Sequence, residues 1–182
     1  MIGRSCAAML GAVAIAVLSM GPALGQSRGA HVHGIGGLDI VVEGSRVEME
    51  LELSGRDVVG FEHAPSTQAQ KHAVRDAAGK LKDHARLFRF PGDADCGGGE
   101  ASVESALLDD GHGHGHGHGH DGEHAAFHIQ YILDCANPEA LDGVDLLIFE
   151  AFPAIEAIKV RVISPRGQSA REVHADSARV RF

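Results

Sequence analysis

The sequence predicts an α+β domain: an antiparallel β-sheet or sandwich of successive hairpins, one main packed helix at about 66–86, and a disordered histidine-rich hairpin loop. Three observations predict it. Short runs of alternating apolar and polar residues recur along the chain, parted by glycine and proline turn signals. Past the amino-terminal leader, helical periodicity with a start signal occurs in one segment. Two strand-like runs flank a glycine–histidine tract, which therefore reads as the loop of a hairpin. Successive hairpins with helix confined to one place form the pattern of an α+β architecture.

Residues 1–25 are set apart from that domain. Arg4 supplies a positive start, Ala7 to Met20 is almost unbroken apolar sequence, and Ala23-Leu24-Gly25 leaves small residues before a cut between Gly25 and Gln26. This is the pattern of a secretory signal peptide, too short and wrongly flanked for an anchor. Cys6 precedes the apolar run, which argues against a lipoprotein signal. The expected mature chain, 26–182, is about one domain's worth, a single metal-binding domain with its histidine-rich loop at 109–124. The formal net charge is −9, and the leader carries only Arg4 away. That balance argues against nucleic acid or an anionic membrane as partner and favours cations.

The elements follow in order. Leu38 to Glu43 and Val47 to Leu53 read as a hairpin about Gly44-Ser45, with Glu48, Glu50 and Glu52 on a solvated face. Carboxylates two apart on an exposed strand serve solubility more often than metal binding. Asp57 to Pro65 reads as an irregular connection. Thr67 with Gln70 has capping-box spacing and opens the helix, whose stripe is Ala73, Ala77, Leu81 and Phe88, with Val74 and Ala85 beside them. His72 and His84 share no turn and read as solvated. Leu87 to Phe90, Ala101 to Leu108 and Ala126 to Cys135 are predicted strands, the last with Phe127, Ile129, Tyr131, Leu133 and Cys135 on one side. Val144 to Phe149 is a buried apolar run, Phe152-Pro153 breaks it, and Ile155 to Ile163 resumes. Arg171 to His174 and Ala178 to Phe182 close the sheet as edge strands.

Cys96 and Cys135 are the cysteines of the mature chain, and an even count in an exported protein points to a disulfide. Pairing across the tract puts Leu108 opposite about Ala125 and Cys96 opposite about Asn137, close enough to Cys135 for a bridge at the base of the hairpin. Joint metal ligation by the two thiols is the competing reading.

Chemistry concentrates in two histidine groups. His112, His114, His116, His118 and His120 alternate with glycine, and His124 and His128 follow. Imidazole nitrogen suits zinc, copper, nickel and ferrous iron, and alternation lets rings line one side of an extended chain. Zinc takes about four ligands, so these seven saturate about two ions, with Asp109, Asp110, Asp121 and Glu123 adding oxygen. Ordering glycine-rich chain costs about 1–2 kcal/mol per residue, which suits capture and buffering better than catalysis. A solvated low-complexity insert is the bland reading. The second group is His31, His33, Glu62 and His63: His31 and His33 stand two apart in an extended segment, and the hairpin brings them towards the connection that carries Glu62-His63. A backbone-held site of this kind would bind the more tightly. A fraying His-Val-His end is the alternative. His174 is assigned nothing.

The chain resembles the ZrgA family, formerly a domain of unknown function, on His31-Val32-His33-Gly34, Gly60-Phe61-Glu62-His63-Ala64-Pro65, Cys96, Cys135, Phe152-Pro153, Gly167-Gln168 and a histidine-rich insert at 111–120. The resemblance implies a periplasmic zinc-binding accessory of metal import, with Zn2+ as the ion and an import component as partner. Nickel or copper binding is the first alternative, because intrinsic affinity at nitrogen sites favours copper. A zinc hydrolase is the second. It needs three ligands, an open position and a base, and the chain has no His-Glu-x-x-His helix or nucleophile motif. The expected protein is not an enzyme and has no membrane insertion once the leader is removed. Its oligomeric state is not legible.

Overall fold

The computed structural model describes residues 32–109 and 125–182. The predicted leader with its cut, His31, and the stretch 110–124 that holds the predicted loop lie outside the described residues. Two strands, β1 (Ile35–Glu43) and β2 (Arg46–Ser54), form the hairpin predicted about Gly44-Ser45, with Gly37 opposite Glu52 and Glu43 opposite Arg46. Strict alternation fixes this register, because a slip of one residue would turn every valine and leucine outward.

On the outer side of β2 lies β5 (Ala126–Cys135), and beyond it β4 (Cys96–Glu104), both antiparallel to their neighbours. On the other side of β1 comes β7 (Ala157–Ser164), followed by β8 (Gly167–His174). The six-stranded order is β4-β5-β2-β1-β7-β8. The pairing of β1 with β7 is parallel, which corrects the expectation of hairpins throughout. Its cause lies in the apolar run after Asp142. Only β6 (Gly143–Leu146) is a strand there, and it leaves for a second sheet between β3 (Phe88–Arg89) and β9 (Arg179–Arg181). A helical turn at Ile148–Ala151 then carries the chain across, so β7 enters beside β1 in the same direction.

Four helices are assigned among the described residues: α1 (Gly55–Val59), α2 (Gln68–Lys82), α3 (His84–Leu87) and α4, the turn at Ile148–Ala151. The predicted capping box is present: Thr67 Oγ1 accepts from Gln70 N at 3.2 Å, and Gln70 Oε1 accepts from Thr67 N at 3.2 Å. The helix predicted to about 86 is broken at Asp83. Its buried stripe is Val74, Ala77, Ala78 and Leu81, while Ala73 and Ala85 are exposed. The face is thus turned by one residue, because Val74 offers more apolar surface than Ala73.

One face of the large sheet is the core. Leu38, Ile40, Met49, Leu51, Phe127, Ile129 and Val160 are buried there, and each large side chain contributes about 1.5–3 kcal/mol. Tyr131 ties the second layer to it, donating to the Leu81 carbonyl at 2.6 Å and meeting Phe88 edge-on at 5.3 Å. The opposite face is open and bears Asp39, Glu48, Glu50, Glu52, His128, Lys159 and Arg161. The glutamate row is solvated, as expected: Glu48 pairs with Arg46, and Glu50 accepts from Gln130.

Cys96 and Cys135 form a disulfide and face each other in register. The sequence register was offset for two reasons: Glu104 already pairs with His128 and not with Ile129, and a β-bulge between Gly97 and Glu100 absorbs one further residue of β4. The predicted strand from Ala101 to Leu108 also ends early. Ser105 Oγ accepts from Leu107 N at 3.2 Å and starts a 3-10 turn at Ala106–Leu108. Among the described residues, no helix is long and apolar enough to cross a membrane.

Candidate metal site

His33 stands in a turn. Ile35 N donates to the Val32 carbonyl at 3.1 Å, and Gly34 takes φ +80°, a conformation open to glycine at little cost. The expectation of an extended segment is corrected from Val32 on, while His31 lies outside the described residues: a turn, not strand alternation, sets the direction of the His33 ring. Both polar groups of Gly34 are held. Its N–H donates to Asp57 Oδ2 at 2.9 Å, and its carbonyl accepts from Glu156 N at 2.7 Å and Ala157 N at 3.0 Å. Asp57 is buried, so the turn is fastened by α1 on one side and β7 on the other.

Ser54 builds the partner. Its Oγ accepts from Arg56 N at 3.1 Å, which caps α1, and donates to Glu62 Oε1 at 2.9 Å. The same carboxylate oxygen lies 3.1 Å from His33 Nε2. Partial burial pushes the Glu62 carboxyl up. The Ser54 hydrogen bond, the His33 hydrogen bond and charge, and the Arg56 charge outweigh it and hold the group below its ordinary 4.5. Glu62 is therefore an anion at neutral pH.

His63 is turned differently. Its Nδ1 lies 3.0 Å from the Ala64 carbonyl, and its ring stacks on Phe61 at 5.1 Å. Donation from Nδ1 leaves the Nε2 lone pair outward, the tautomer in which backbone-oriented histidines bind metal. Among the described residues, no three His, Cys, Asp or Glu side chains are gathered around one point. Of the predicted group, Glu62 and His33 touch, and His31 lies outside the described residues.

The tract histidines His112 to His124 and the flanking Asp110, Asp121 and Glu123 lie outside the described residues. The residues that bound them do not. A Cβ placed on Gly55 would sit 2.3 Å from the Ala125 carbonyl oxygen, 2.9 Å from Leu107 Cδ1 and 2.9 Å from the Phe61 carbonyl oxygen. Only glycine lets these three segments close on one point. Ser54 is also the register partner of Ala126, so the described residue that bounds the tract downstream lies beside the hydroxyl that holds Glu62. Asp109 is exposed at the upstream side. His128 is not in the tract at all: it projects from β5 onto the open face, opposite Glu52 on one side and Glu104 on the other.

The family model described as ZrgA family zinc uptake protein matches residues 30–182. The chain belongs to the ZrgA family. No curated protein matches it at a significant level. The span of the ZrgA match includes every described strand as well as the tract, so membership rests on the whole domain and not on the histidine run. Imidazole nitrogen and ionised carboxylate are donors that zinc accepts at about 2.0–2.2 Å.

Sequence reasoning missed Ser54, Asp57 and Glu156 as the residues that hold this corner. Ser54-Gly55-Arg56-Asp57 does carry a Ser-x-x-Asp helix-start signal, which would have revealed α1. Outside this corner, His72 lies exposed beside Asp76 at 3.6 Å, in keeping with a solvated helix histidine.

Proposed function

We propose that this protein is a non-catalytic periplasmic zinc-binding protein that captures and buffers Zn2+ and assists zinc import. One observation carries the reading: an ionised Glu62 in contact with His33, at the corner where both flanks of the histidine tract close on Gly55. The tract collects ions through interchangeable imidazoles. The corner offers a tighter seat, with His63 and the neighbouring His31 as further donors, and passes the ion to a component of the import system. Membership of a zinc uptake family and the secretory leader pattern support this reading.

The test is competition of the mature protein against a chromophoric zinc chelator, with and without residues 111–120. The intact protein withdraws zinc at micromolar chelator, and removing the tract lowers the number of ions held while leaving the tightest one. An intact protein that leaves the chelator's zinc untouched sinks the proposal. Ligating imidazoles must be neutral, and a free imidazole titrates near about 6.5. Zinc retention therefore declines below about pH 6, and equal retention at pH 5 and pH 7.5 would assign the binding to carboxylates. Metal analysis of protein recovered from its own compartment separates zinc from nickel or copper.

A further inference from the structure

The open face of the large sheet carries an apolar stripe across its middle strands. In register from β7 to β5 lie Ile163, Val41, Glu48 and Ile132. The large hydrophobic side chains exposed among the described residues are Val32, Val41 and Ile163, and the last two are direct neighbours here. Ile132 is half-buried, and Glu48 is paired at 2.6 Å with Arg46 of its own strand. Strands lie about 4.8 Å apart, so the stripe is roughly 15 Å long. A hollow of about 640 Å³ opens along it, with Val41, Ile163, Asp39, Glu50 and Ala170 in its lining.

Carboxylates rim the stripe. Glu43 and Asp134 stand in the next row towards the Gly44-Ser45 turn, Glu50 in the row on the other side, and Glu100 at the β4 end. Arg46 and Arg161 are taken by Glu48 and Asp39, and Lys159 stands two rows away. Among the described residues, no cation pairs with Glu43, Glu100 or Asp134. Solubility alone explains the rim but not the centre, because burying a valine or isoleucine is worth about 1.5–3 kcal/mol. An apolar centre inside a charged rim has the anatomy of a protein interface.

We propose that this stripe docks a protein partner, through a segment whose apolar side chains are flanked by lysine or arginine. The rim selects the occupant. An anionic partner is repelled, and a second copy offering the same face would set carboxylate against carboxylate. Cations laid along the stripe meet Glu43, Glu50 and Asp134 while the side chains between them cover Val41, Ile163 and Ile132. The stripe lies towards the Gly44-Ser45 turn and the disulfide, at the far end of the strands from the His33–Glu62 corner. It therefore does not rest on the zinc reading.

The experiment titrates the full mature chain, in chelator-treated buffer, with a peptide of central leucines between lysines and with oligolysine of equal charge. Amide shifts on binding the leucine–lysine peptide gather on β1, β2, β5 and β7 about the stripe. Val41→Thr with Ile163→Thr weakens that peptide roughly tenfold, on the scale of losing the centre of an interface, and leaves oligolysine binding and zinc titration as they were. Glu43→Gln with Asp134→Asn weakens both peptides and flattens their dependence on salt. All four positions are exposed and threonine keeps the branched β-carbon, so melting temperatures stay near the parent value. A photo-crosslinking residue at position 163, in the protein's own cell, joins a partner at a segment that carries Lys or Arg. The proposal is overturned if the threonine variant binds the leucine–lysine peptide like the parent, or if the shifts scatter over acidic surface elsewhere. An adduct with an acidic or uncharged segment, or with another copy of this chain, overturns it as well.

Discussion

The β4–β5 hairpin is held by opposite means at its two ends. At the base, Cys96 and Cys135 are bonded in register, and the backbone N–H groups of Ala136 and Asn137 donate to Asp95 and Ala94. At the other end no covalent link is present among the described residues. Leu107, Ala125 and the Phe61 carbonyl close around Gly55, and beside them a short network of Ser54, Glu62, His33 and Asp57 ties the turn before β1 to the segment that follows β2. The difference separates two duties. On the proposed reading, the cross-link secures the fold away from the candidate corner, which can then be built from weak, reversible contacts.

That comparison can be broken in several places. The largest effect is expected from Cys96→Ser with Cys135→Ser. The bridge spans a sequence separation of 39, and its loss costs about 2–5 kcal/mol of stability. Denaturant unfolding measures this, and zinc affinity at the corner should not change while the chain remains folded. A parallel fall in zinc affinity would join the two ends that the contrast keeps apart.

Gly55→Ala tests the other end. Its added methyl meets backbone on two sides, and overpacking of this kind costs about 1–3 kcal/mol. Unlike the disulfide variant, it should also lower zinc affinity, because the displaced Phe61 carbonyl carries Glu62 with it. Unchanged titration of zinc in a destabilised Gly55→Ala chain would detach the corner from the tract's flanks.

Glu62→Gln is nearly isosteric and removes the charge. Zinc binding at the corner should weaken by roughly tenfold or more, read by chelator competition in a chain lacking 111–120. The smallest effect concerns the same carboxylate without metal. A carboxyl whose folded pKa is depressed contributes stability above its unfolded value and loses it as pH falls through the folded one. The difference in melting temperature between the native chain and Glu62→Gln should therefore be constant from pH 8 to about 5. It should shrink only below the ordinary carboxylate value of 4.5. A difference that fades well above 4.5 would mean that the Glu62 charge does not set it.

Much of this arrangement was legible in local sequence. The β1–β2 register followed from alternation about Gly44-Ser45, the start of α2 from Thr67 and Gln70, and the buried side of β5 from Phe127 to Cys135. What escaped was either long-range or irregular. Nothing near Ile35 signals a parallel partner in the last third of the chain. The bulge at Gly97–Glu100 shifted the predicted partner of Cys96, and a turn at Val32–Ile35 replaced the expected extended segment. The corner was half visible. His33 and Glu62 stood out by residue type, whereas Asp57 and Ser54 act through backbone groups that residue type does not reveal.

The parallel seam between β1 and β7 has a temporal side. Gly34 is anchored by Glu156 and Ala157, residues synthesised long after it. Contacts so distant along the chain form late, since loop closure must precede their reward. The His33 imidazole therefore waits for nearly the whole polypeptide before its turn is fastened, and if the proposed corner holds an ion, it can do so only once the last third of the chain has arrived.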